Sequence, residues 1–287
     1  MASRRPTTVG CYVLVIKPMT VVRQATARPL ARRVLEVPWV ERIVATMLRS
    51  RTVRGSVRFV ARELSGSRRV SRYRLRESGL IAVIRHGTPD VATLDEVFYQ
   101  RQYEPPAVVV SRLGAAPRIV DLGANIGLFA LFVAADRPSA RVTVVEADAE
   151  NADVLRRTRT LNGVDWEVVE AVAATQDGSV PFAGGLFSLS RVEDRPDLPR
   201  VPAVDAFAYL ADADLAKVDI EGSEWEILAS PRLAGEGPRA LVLEFHPHLA
   251  PPGDPQSVAI RLLEEAGYRT GELRPTAPGH GIVWAWR

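Results

Sequence analysis

The stretch RIVDLGANIGLFALFVA, residues 118–134, decides the fold class of this chain. The apolar run up to Leu122 predicts a strand, Gly123 and Gly127 predict a tight turn, and the unbroken apolar run after them predicts a helix. Glycine lets backbone amides come close to a ligand, and a helix N-terminus offers N–H groups without intrahelical partners. The stretch therefore predicts a strand–turn–helix unit that binds a ligand at its turn.

A second apolar run, residues 142–145, ends in Glu146 about twenty residues after the turn. An acid at the tip of the second strand is where nucleotide-binding folds hold a ribose diol. Asp121 precedes Gly123 by two residues, and Asn125 stands where a dinucleotide motif prefers glycine. This pattern favours S-adenosylmethionine (SAM) over NAD, with a ligand-free turn as the third alternative.

The composition is ordinary for a globular protein, with 47% hydrophobic and 25% charged residues among 287. Cys11 is the single cysteine, which excludes an internal disulfide and a cysteine-rich zinc site. No apolar run approaches a membrane span, and the run after Arg4 and Arg5 is cut short by Lys17 without a cleavage site. We therefore expect a cytoplasmic protein.

The net charge of +3 hides an asymmetry between the two parts of the chain. Residues 1–85 hold 19 Lys and Arg against 4 Asp and Glu, which leaves 18 against 30 in the rest. Arginine outnumbers lysine 35 to 2, a ratio that a GC-rich coding bias produces without selection for binding. The basic part thus predicts a solvated or substrate-facing surface, with binding of nucleic acid or an anionic membrane as the alternative.

The pattern divides the chain into a loose leader (1–27), an N-terminal cover of helices and a hairpin (28–106), and an α/β domain (107–287). In the cover we expect a basic amphipathic helix over 28–50, kinked or split at Pro38. The other expected elements are a short helix over 57–64, a hairpin of 70–76 with 80–85, and a helix over 93–103 with Thr93 as N-cap.

From residue 107 strands and helices alternate, and the strand segments are continuous apolar runs, as in a parallel sheet buried on both faces. The predicted strands are 118–122, 141–146, 166–173, 214–220, 240–246, 268–273 and 281–286; the predicted helices are 126–135, 149–161, 223–230 and 255–266. A glycine- and proline-rich insertion, 176–203, interrupts them. Seven mostly parallel strands, with the last antiparallel and helices on both faces, predict a Rossmann-like class I methyltransferase fold.

Ligands of such sheets bind at the carboxyl ends of the strands. The segment KVDIEGSE, residues 217–224, places Asp219 and Glu221 at one such end. Like charges this close raise one pKa or gather a cation, and either effect helps a substrate hydroxyl lose its proton. Lys217 lies within the strand, where we expect it to pair with one of the acids.

The segment EFHPH, residues 244–248, follows another strand. Alternation puts Glu244, His246 and His248 on one side if the strand runs that far, and such a set can bind a metal. Pro247 is expected to end the strand, which would turn His248 away. We therefore retain His246 as a candidate general base, and the sequence leaves metal binding unknown.

Taken together, VDLGANIG (120–127), VEA (145–147), KVDIEGSE (217–224) and EFHP (244–247) resemble the FkbM-type SAM-dependent methyltransferases. RHGTPD, residues 85–90, is loosely similar to the segment that precedes the SAM domain there. The likeness covers about residues 75–285. The resemblance implies O-methylation of a hydroxyl on a natural product, sugar or glycan, without fixing the acceptor.

The resemblance also implies a SAM pocket, for which the candidate cofactor-binding residues are Asp121, Gly123, Ala124, Asn125, Gly127, Glu146 and Ala147. The candidate catalytic residues are Asp219, Glu221 and His246, and a divalent metal such as Mg²⁺ is an open alternative. We predict a SAM-dependent O-methyltransferase that acts on a small-molecule or glycan acceptor. The alternatives are a nucleic-acid methyltransferase that uses the basic N-terminal part, a non-catalytic SAM-fold binding protein, and a dinucleotide oxidoreductase.

Overall fold

The computed structural model of the chain describes residues 38–66, 68–193, 195 and 197–287. The predicted leader and the part of the first predicted helix before Pro38 lie outside these residues. The chain divides into two compact units, 1–45 and 46–287. Helix α1 spans Pro38–Arg49, so the described residues of the first unit are helical.

The larger unit is built on a seven-stranded sheet of order β12-β13-β11-β10-β3-β4-β5. Its strands are β3 (Arg118–Leu122), β4 (Arg141–Val145), β5 (Trp166–Val169), β10 (Leu215–Val218), β11 (Ala240–Phe245), β12 (Arg269–Ala277) and β13 (His280–Trp286). The first five strands run parallel, and β13 is antiparallel to both β11 and β12. The predicted seven-stranded, mostly parallel sheet is confirmed.

Hydrophobic cores lie on both faces of this sheet because successive side chains of a strand point to opposite faces. Ile119 and Val142 belong to one core with Phe129, whereas Val120 and Leu241 belong to the other. The helices are α5 (Leu128–Asp136), α6 (Ala149–Asn162), α7 (Phe207–Leu210), α8 (Glu224–Ala229), α9 (Arg232–Glu236) and α10 (Pro255–Glu265). The central strands are therefore covered on both sides, and their carboxyl ends remain as the open edge.

The predicted strand 166–173 is wrong as one element. It ends at Val169, and the chain continues into β6 (Val172–Ala174), which pairs with β9 (Arg200–Asp205) in a separate four-stranded sheet. The predicted insertion contributes that sheet's β7 (Gly178–Ala183) and β8 (Arg191–Val192). One apolar run thus serves two sheets, which periodicity alone does not reveal.

Before β3 the unit contains α2 (Ser56–Leu64), the hairpin of β1 (Val70–Arg74) with β2 (Ile81–Arg85), α3 (Asp90–Leu94) and α4 (Ala107–Val110). The prediction of Thr93 as an N-cap is wrong, because α3 already begins at Asp90 and runs into a π-helical turn at Asp95–Tyr99. The N–H of Asp90 donates to Thr88 Oγ1 at 3.2 Å, so Thr88 satisfies the helix start instead.

Within the described ranges, the chain contains no helix whose length and apolar content would let it cross a membrane.

Candidate functional site

A cavity of about 260 Å³ lies at the carboxyl ends of β3, β4, β10 and β11. Eight of the ten sequence-predicted site residues line it, and they bring the expected cofactor and acceptor groups to one place: Gly123, Ala124, Asn125, Glu146, Ala147, Asp219, Glu221 and His246. The remaining two candidates, Asp121 and Gly127, lie behind its wall. Parallel strands that end at one edge explain why segments up to 125 residues apart in sequence meet here.

The glycine turn is shaped by its neighbours. Gly123 has φ +76°, and a Cβ there would lie 1.8 Å from the carbonyl oxygen of Asp219. The N–H groups of Gly123 and Ala124 both donate to the carbonyl of Val145 at 3.0 Å, and that of Gly127 donates to Ala124. The expectation that these amides face a ligand is therefore corrected: those of Gly123 and Ala124 hold the turn against the end of β4, and that of Gly127 closes the turn on itself.

Gly127 acts in packing. It precedes α5 with φ +80°, and a Cβ would lie 3.0 Å from Leu155 and 3.3 Å from Trp166. Only a residue without a side chain lets the start of α5 approach α6 and β5 this closely.

Glu146 follows β4 and is 6% exposed. Its Oε2 accepts the N–H of Asn125 at 2.6 Å, and its Oε1 accepts the N–H of Asp148 at 2.9 Å and the side-chain amide of Asn151 at 3.3 Å. Burial raises the pKa of Glu146 to about 7, although these hydrogen bonds lower it. The structure thus places a fixed carboxylate at the tip of β4, as the sequence predicts.

A network that the sequence analysis missed supports this carboxylate. Asn151 accepts from Arg85 Nη2 at 2.6 Å and donates to the carbonyl of Phe187 at 3.1 Å. Arg85 also donates twice to Asp90, and its guanidinium lies 4.8 Å from the ring centre of Phe187. The hairpin strand β2 is therefore coupled to Glu146 through Asn151.

Asp148 holds the loop before β8 next to Glu146 by hydrogen bonds. It caps α6 by accepting from Glu150 N and Asn151 N, and its other oxygen accepts from Gly185 N at 2.6 Å and Ser190 Oγ at 2.7 Å. An aspartate directly before a helical pattern is an N-cap signal that the sequence did offer. Its contacts with the loop could not be deduced from local pattern.

Lys217 is the buried cation between two acids. Its register partner on β3 is Asp121, and its Nζ lies 2.9 Å from Asp219 and 3.5 Å from Asp121. Burial would lower the pKa of Lys217, but the carboxylates of Asp219 and Asp121 raise it above its ordinary value. The predicted pairing of Lys217 is confirmed, and its position as one of two lysines in an arginine-rich chain was the available signal.

Asp121 is fully buried, and neither of its carboxylate oxygens has a hydrogen-bond partner among the described residues. Burial raises the pKa of Asp121 to about 6; Lys217 opposes this rise and the nearby Asp219 adds to it. The acid of the glycine motif therefore pairs with Lys217, at 3.5 Å, from behind the cavity.

His246 and Glu221 face each other across the acceptor end of the cavity. His246 Nε2 lies 3.6 Å from Glu221 Oε2 and 3.8 Å from Asp219 Oδ1. Glu224, which is fully buried, accepts from both the backbone N–H and Nδ1 of His246, at 2.8 and 3.1 Å. This contact fixes the ring and directs Nε2 into the cavity.

The titration of this group is shifted by its surroundings. Burial raises the pKa of Glu221 to about 8, while His246 opposes that rise. Burial works against protonation of His246, but the hydrogen bond to Glu224 and the charges of Glu221 and Asp219 raise its pKa to about 10. In the ligand-free protein His246 is therefore the positive partner of the acids.

Two further acids line the same end: Glu244, which the sequence analysis grouped with His246 and His248, and Glu96, which it did not single out. Tyr103 donates its hydroxyl to Glu244 at 2.5 Å, and burial raises the pKa of Glu244. Burial and the nearby Glu244 raise the pKa of Glu96 to about 8. Glu96 and Tyr103 come from the segment before β3, so the cavity needs both parts of the larger unit.

The set Glu244, His246 and His248 does not converge as a metal site. Strand β11 ends at Phe245, and His248 is exposed, with its carbonyl accepting from the Trp225 indole at 3.1 Å. Within the described ranges, the group whose ligand atoms lie within 4.8 Å of one another is Asp219, Glu221 and His246. His248 is separated from Glu244 and His246 because β11 ends before it, as Pro247 led us to expect.

Among the described residues, five non-glycine residues have positive φ, and three of them line this cavity: Asn125 (50°), Phe187 (60°) and Glu221 (52°). Such conformations are uncommon outside glycine and concentrate at functional sites. Next to Glu221, a Cβ at Gly222 would lie 2.7 Å from the ring of His248, so the turn that presents Glu221 is tightly enclosed.

Comparison with known families and proteins agrees with this geometry. Residues 121–270, more than half of the chain, match the family described as the methyltransferase FkbM domain. Methyltransferase sdnD from Sordaria araneosa is 35% identical over 91 residues, a match that spans 32% of this chain and 32% of the relative.

Solved structures show more distant likenesses. Precorrin-6y C5,15-methyltransferase from Geobacter metallireducens is 16% identical, with 63% of this chain and 86% of that one covered and a TM-score of 0.40. Aeropyrum pernix fibrillarin with natively bound S-adenosyl-L-methionine is 14% identical, with 75% and 93% covered and a TM-score of 0.39. At these TM-scores neither likeness bears on what this chain acts on.

Proposed function

Since the chain belongs to the FkbM methyltransferase family, we propose that it is a SAM-dependent O-methyltransferase for a hydroxyl of a small molecule, such as a natural product or sugar, or of a glycan. The observation that carries the proposal is the single cavity shared by Glu146 with the glycine turn and by the group Asp219, Glu221 and His246. In the sheet order, β4 and β11 are separated by β3 and β10, so Glu146 and His246 lie about 14 Å apart at three strand spacings. Cofactor and acceptor therefore have separate ends.

The cofactor end has groups that fit SAM. Glu146 Oε2 accepts one hydrogen bond from the protein, which leaves it a lone pair for a ribose hydroxyl. Asn125 Oδ1 is buried without a partner among the described residues, so it can accept from a ligand donor such as an ammonium group. When bound, SAM supplies the sulfonium-linked methyl group.

At the acceptor end the protein orients the hydroxyl and takes its proton. Glu221, whose pKa burial raises to about 8, is near the range that suits a general base at neutral pH. Asp219, held by Lys217, and His246, held by Glu224, fix the position of the acceptor oxygen. Positioning and exclusion of water would contribute much of the rate.

We propose that the part of the cover between residues 46 and 106 encloses the cofactor and part of the acceptor pocket. Pro89, Thr93 and Tyr103 line the cavity, which supports this role. The cytoplasmic location stays a prediction.

A nucleic-acid acceptor is less well supported than a small hydroxyl compound. Five carboxylic acids line the cavity, Glu96, Glu146, Asp219, Glu221 and Glu244, and the strongly basic side chains among its lining residues are Lys217 and Arg191. Phosphates close to the reacting atom would meet this excess of negative charge.

The first test is calorimetric titration of the full chain with S-adenosylhomocysteine (SAH), with NAD as the control ligand. We expect SAH alone to bind, with micromolar affinity; binding of NAD in its place would contradict the proposal. Transfer is then assayed from SAM to a panel of sugars and hydroxylated metabolites. His246→Ala should keep SAH binding and slow transfer, whereas the exposed His248→Ala serves as the matched control.

A further inference from the structure

We propose that Asp219, Glu221 and His246 form a binding site for one divalent transition-metal cation, such as Mn²⁺, at the acceptor end of the cavity. All three residues line the cavity, and each offers a ligand atom within 4.8 Å of the others. The ligands come from the ends of two neighbouring parallel strands, β10 and β11, whose spacing the sheet fixes.

The separations suit a cation. His246 Nε2 lies 3.6 Å from the Glu221 oxygen and 3.8 Å from the Asp219 oxygen. Two donors that are each about 2.1 Å from a metal ion are separated by about 3 Å at a right angle and about 4.2 Å when opposite. The two distances from His246 Nε2 fall between these limits, and the third pair of donor atoms lies within 4.8 Å.

Two of the three side chains use their second polar atom elsewhere. Asp219 uses Oδ2 for Lys217, at 2.9 Å. His246 uses Nδ1 for Glu224, at 3.1 Å. His246 is 5% exposed, and its Nε2 faces the Glu221 and Asp219 oxygens at 3.6 and 3.8 Å, which is longer than a hydrogen bond.

Glu224 gives His246 the support that metal-binding histidines ordinarily have. A carboxylate on the second ring nitrogen fixes the tautomer and makes the first nitrogen a stronger ligand. Glu224 is held in turn by the N–H of Gly222 at 2.7 Å and the N–H of His246 at 2.8 Å. This arrangement sets His246 apart from a surface histidine in an acidic region.

The local charge favours a cation at this site. A metal-bound His246 is a neutral imidazole, so the cation would take the place of the His246 proton among Asp219, Glu221 and Glu224. One imidazole and two carboxylates form a mixed N/O set, which favours Mn²⁺, Fe²⁺ or Zn²⁺ over Mg²⁺.

Three protein ligands leave positions open for water or for oxygens of the acceptor. The role of the cation rests on the proposed function, because the ion would hold the acceptor oxygen beside the methyl group. The presence of the cation site does not rest on that function, because cation binding can be measured without SAM or an acceptor.

The experiment is titration of the chelator-treated full chain with Mn²⁺, followed by the electron paramagnetic resonance signal of the free ion. We expect one ion per chain with a dissociation constant below about 100 µM. Glu221→Gln and His246→Gln should each weaken binding by about tenfold or more. Glu96→Gln is the matched control, because it removes one acid of the same cavity outside the proposed ligand set, and it should change the affinity less than about threefold.

The proposal is overturned if the wild-type chain binds no Mn²⁺ stoichiometrically up to millimolar concentration, or if both ligand variants bind it like the wild type. It is also overturned if Glu96→Gln weakens binding as much as they do, since that result indicates diffuse attraction. SAH is titrated into the same samples. If the chain binds SAH but no Mn²⁺, the cation site alone is refuted. If it binds Mn²⁺ but no SAH, the proposed function alone is refuted.

Discussion

Replacing Glu146 with glutamine should remove the pH dependence of SAH binding around neutral pH. Burial raises the pKa of Glu146 to about 7, so the ligand-free protein holds a proton there over part of the neutral range. Ribose hydroxyls that donate to the carboxylate favour its ionised form. Binding should therefore release this proton, and the affinity should increase as the pH rises through 7.

The magnitude follows from the pKa. At a pH well above this pKa the Glu146 carboxylate is already ionised, and the affinity for SAH is constant. At a pH below the pKa the affinity for SAH falls about tenfold for each pH unit. Between about pH 8 and about pH 6 the loss is about tenfold, or about 1.4 kcal/mol. Glu146→Gln should bind SAH more weakly than the wild type at pH 8, by about 1.5–3 kcal/mol for a lost charge-assisted hydrogen bond.

The assay is calorimetry in buffers of different ionisation enthalpy, which counts the protons released on binding. Glu150→Gln, an exposed acid in the first turn of α6, is the matched control and should keep the wild-type pH profile. Ionisation of the ligand affects both variants equally and cancels. An unchanged affinity in Glu146→Gln, or the same pH profile in both variants, would refute the ribose role of Glu146.

Two substitutions test the frame of the cavity. Gly123→Ala places a Cβ 1.8 Å from the carbonyl oxygen of Asp219 and should lower the free energy of unfolding by at least about 3 kcal/mol. The control is Gly163→Ala, where φ is also positive but the space is open, and we expect a loss of about 1 kcal/mol in the same urea denaturation. Equal losses in the two variants would contradict the close approach of Gly123 to Asp219. Lys217→Met leaves Asp121 buried beside a second acid and should lower stability by about 3–5 kcal/mol. The pKa of Asp121 is raised in the folded state, so its ionisation opposes folding as the pH rises. The stability lost in Lys217→Met should therefore be larger at about pH 8 than at about pH 5. A loss of stability that does not change with pH would exclude the buried charge of Asp121 as its cause.

The sequence by itself determined the elements that repeat a local pattern. The run before Gly123, the acid after β4 and the hairpin of β1 with β2 were readable because apolar alternation, glycine and turn residues act over a few positions. The order of strands and helices then predicted the seven-stranded sheet, and the rule that ligands bind at the carboxyl ends of the strands predicted that Glu146, Asp219 and His246 share one edge.

Local pattern failed where one stretch had two structural solutions. Residues 166–173 read as one strand, yet Val169 ends β5 and Val172 pairs with Ala203 in another sheet. Thr93 was the predicted helix start, yet α3 begins at Asp90, whose carboxylate accepts from Arg85. Such choices depend on partners that are distant in sequence.

Only the tertiary structure decided how the site is supported. Lys217 meets Asp121 because β10 pairs with β3 in that register, and Asn151 meets Arg85 because α6 packs against β2. Glu224 reaches His246 only when the helix after β10 lies beside the end of β11. The sequence specifies which charged residues are present, but strand order and packing set the distances between them. Those distances determine which groups share a proton or a cation.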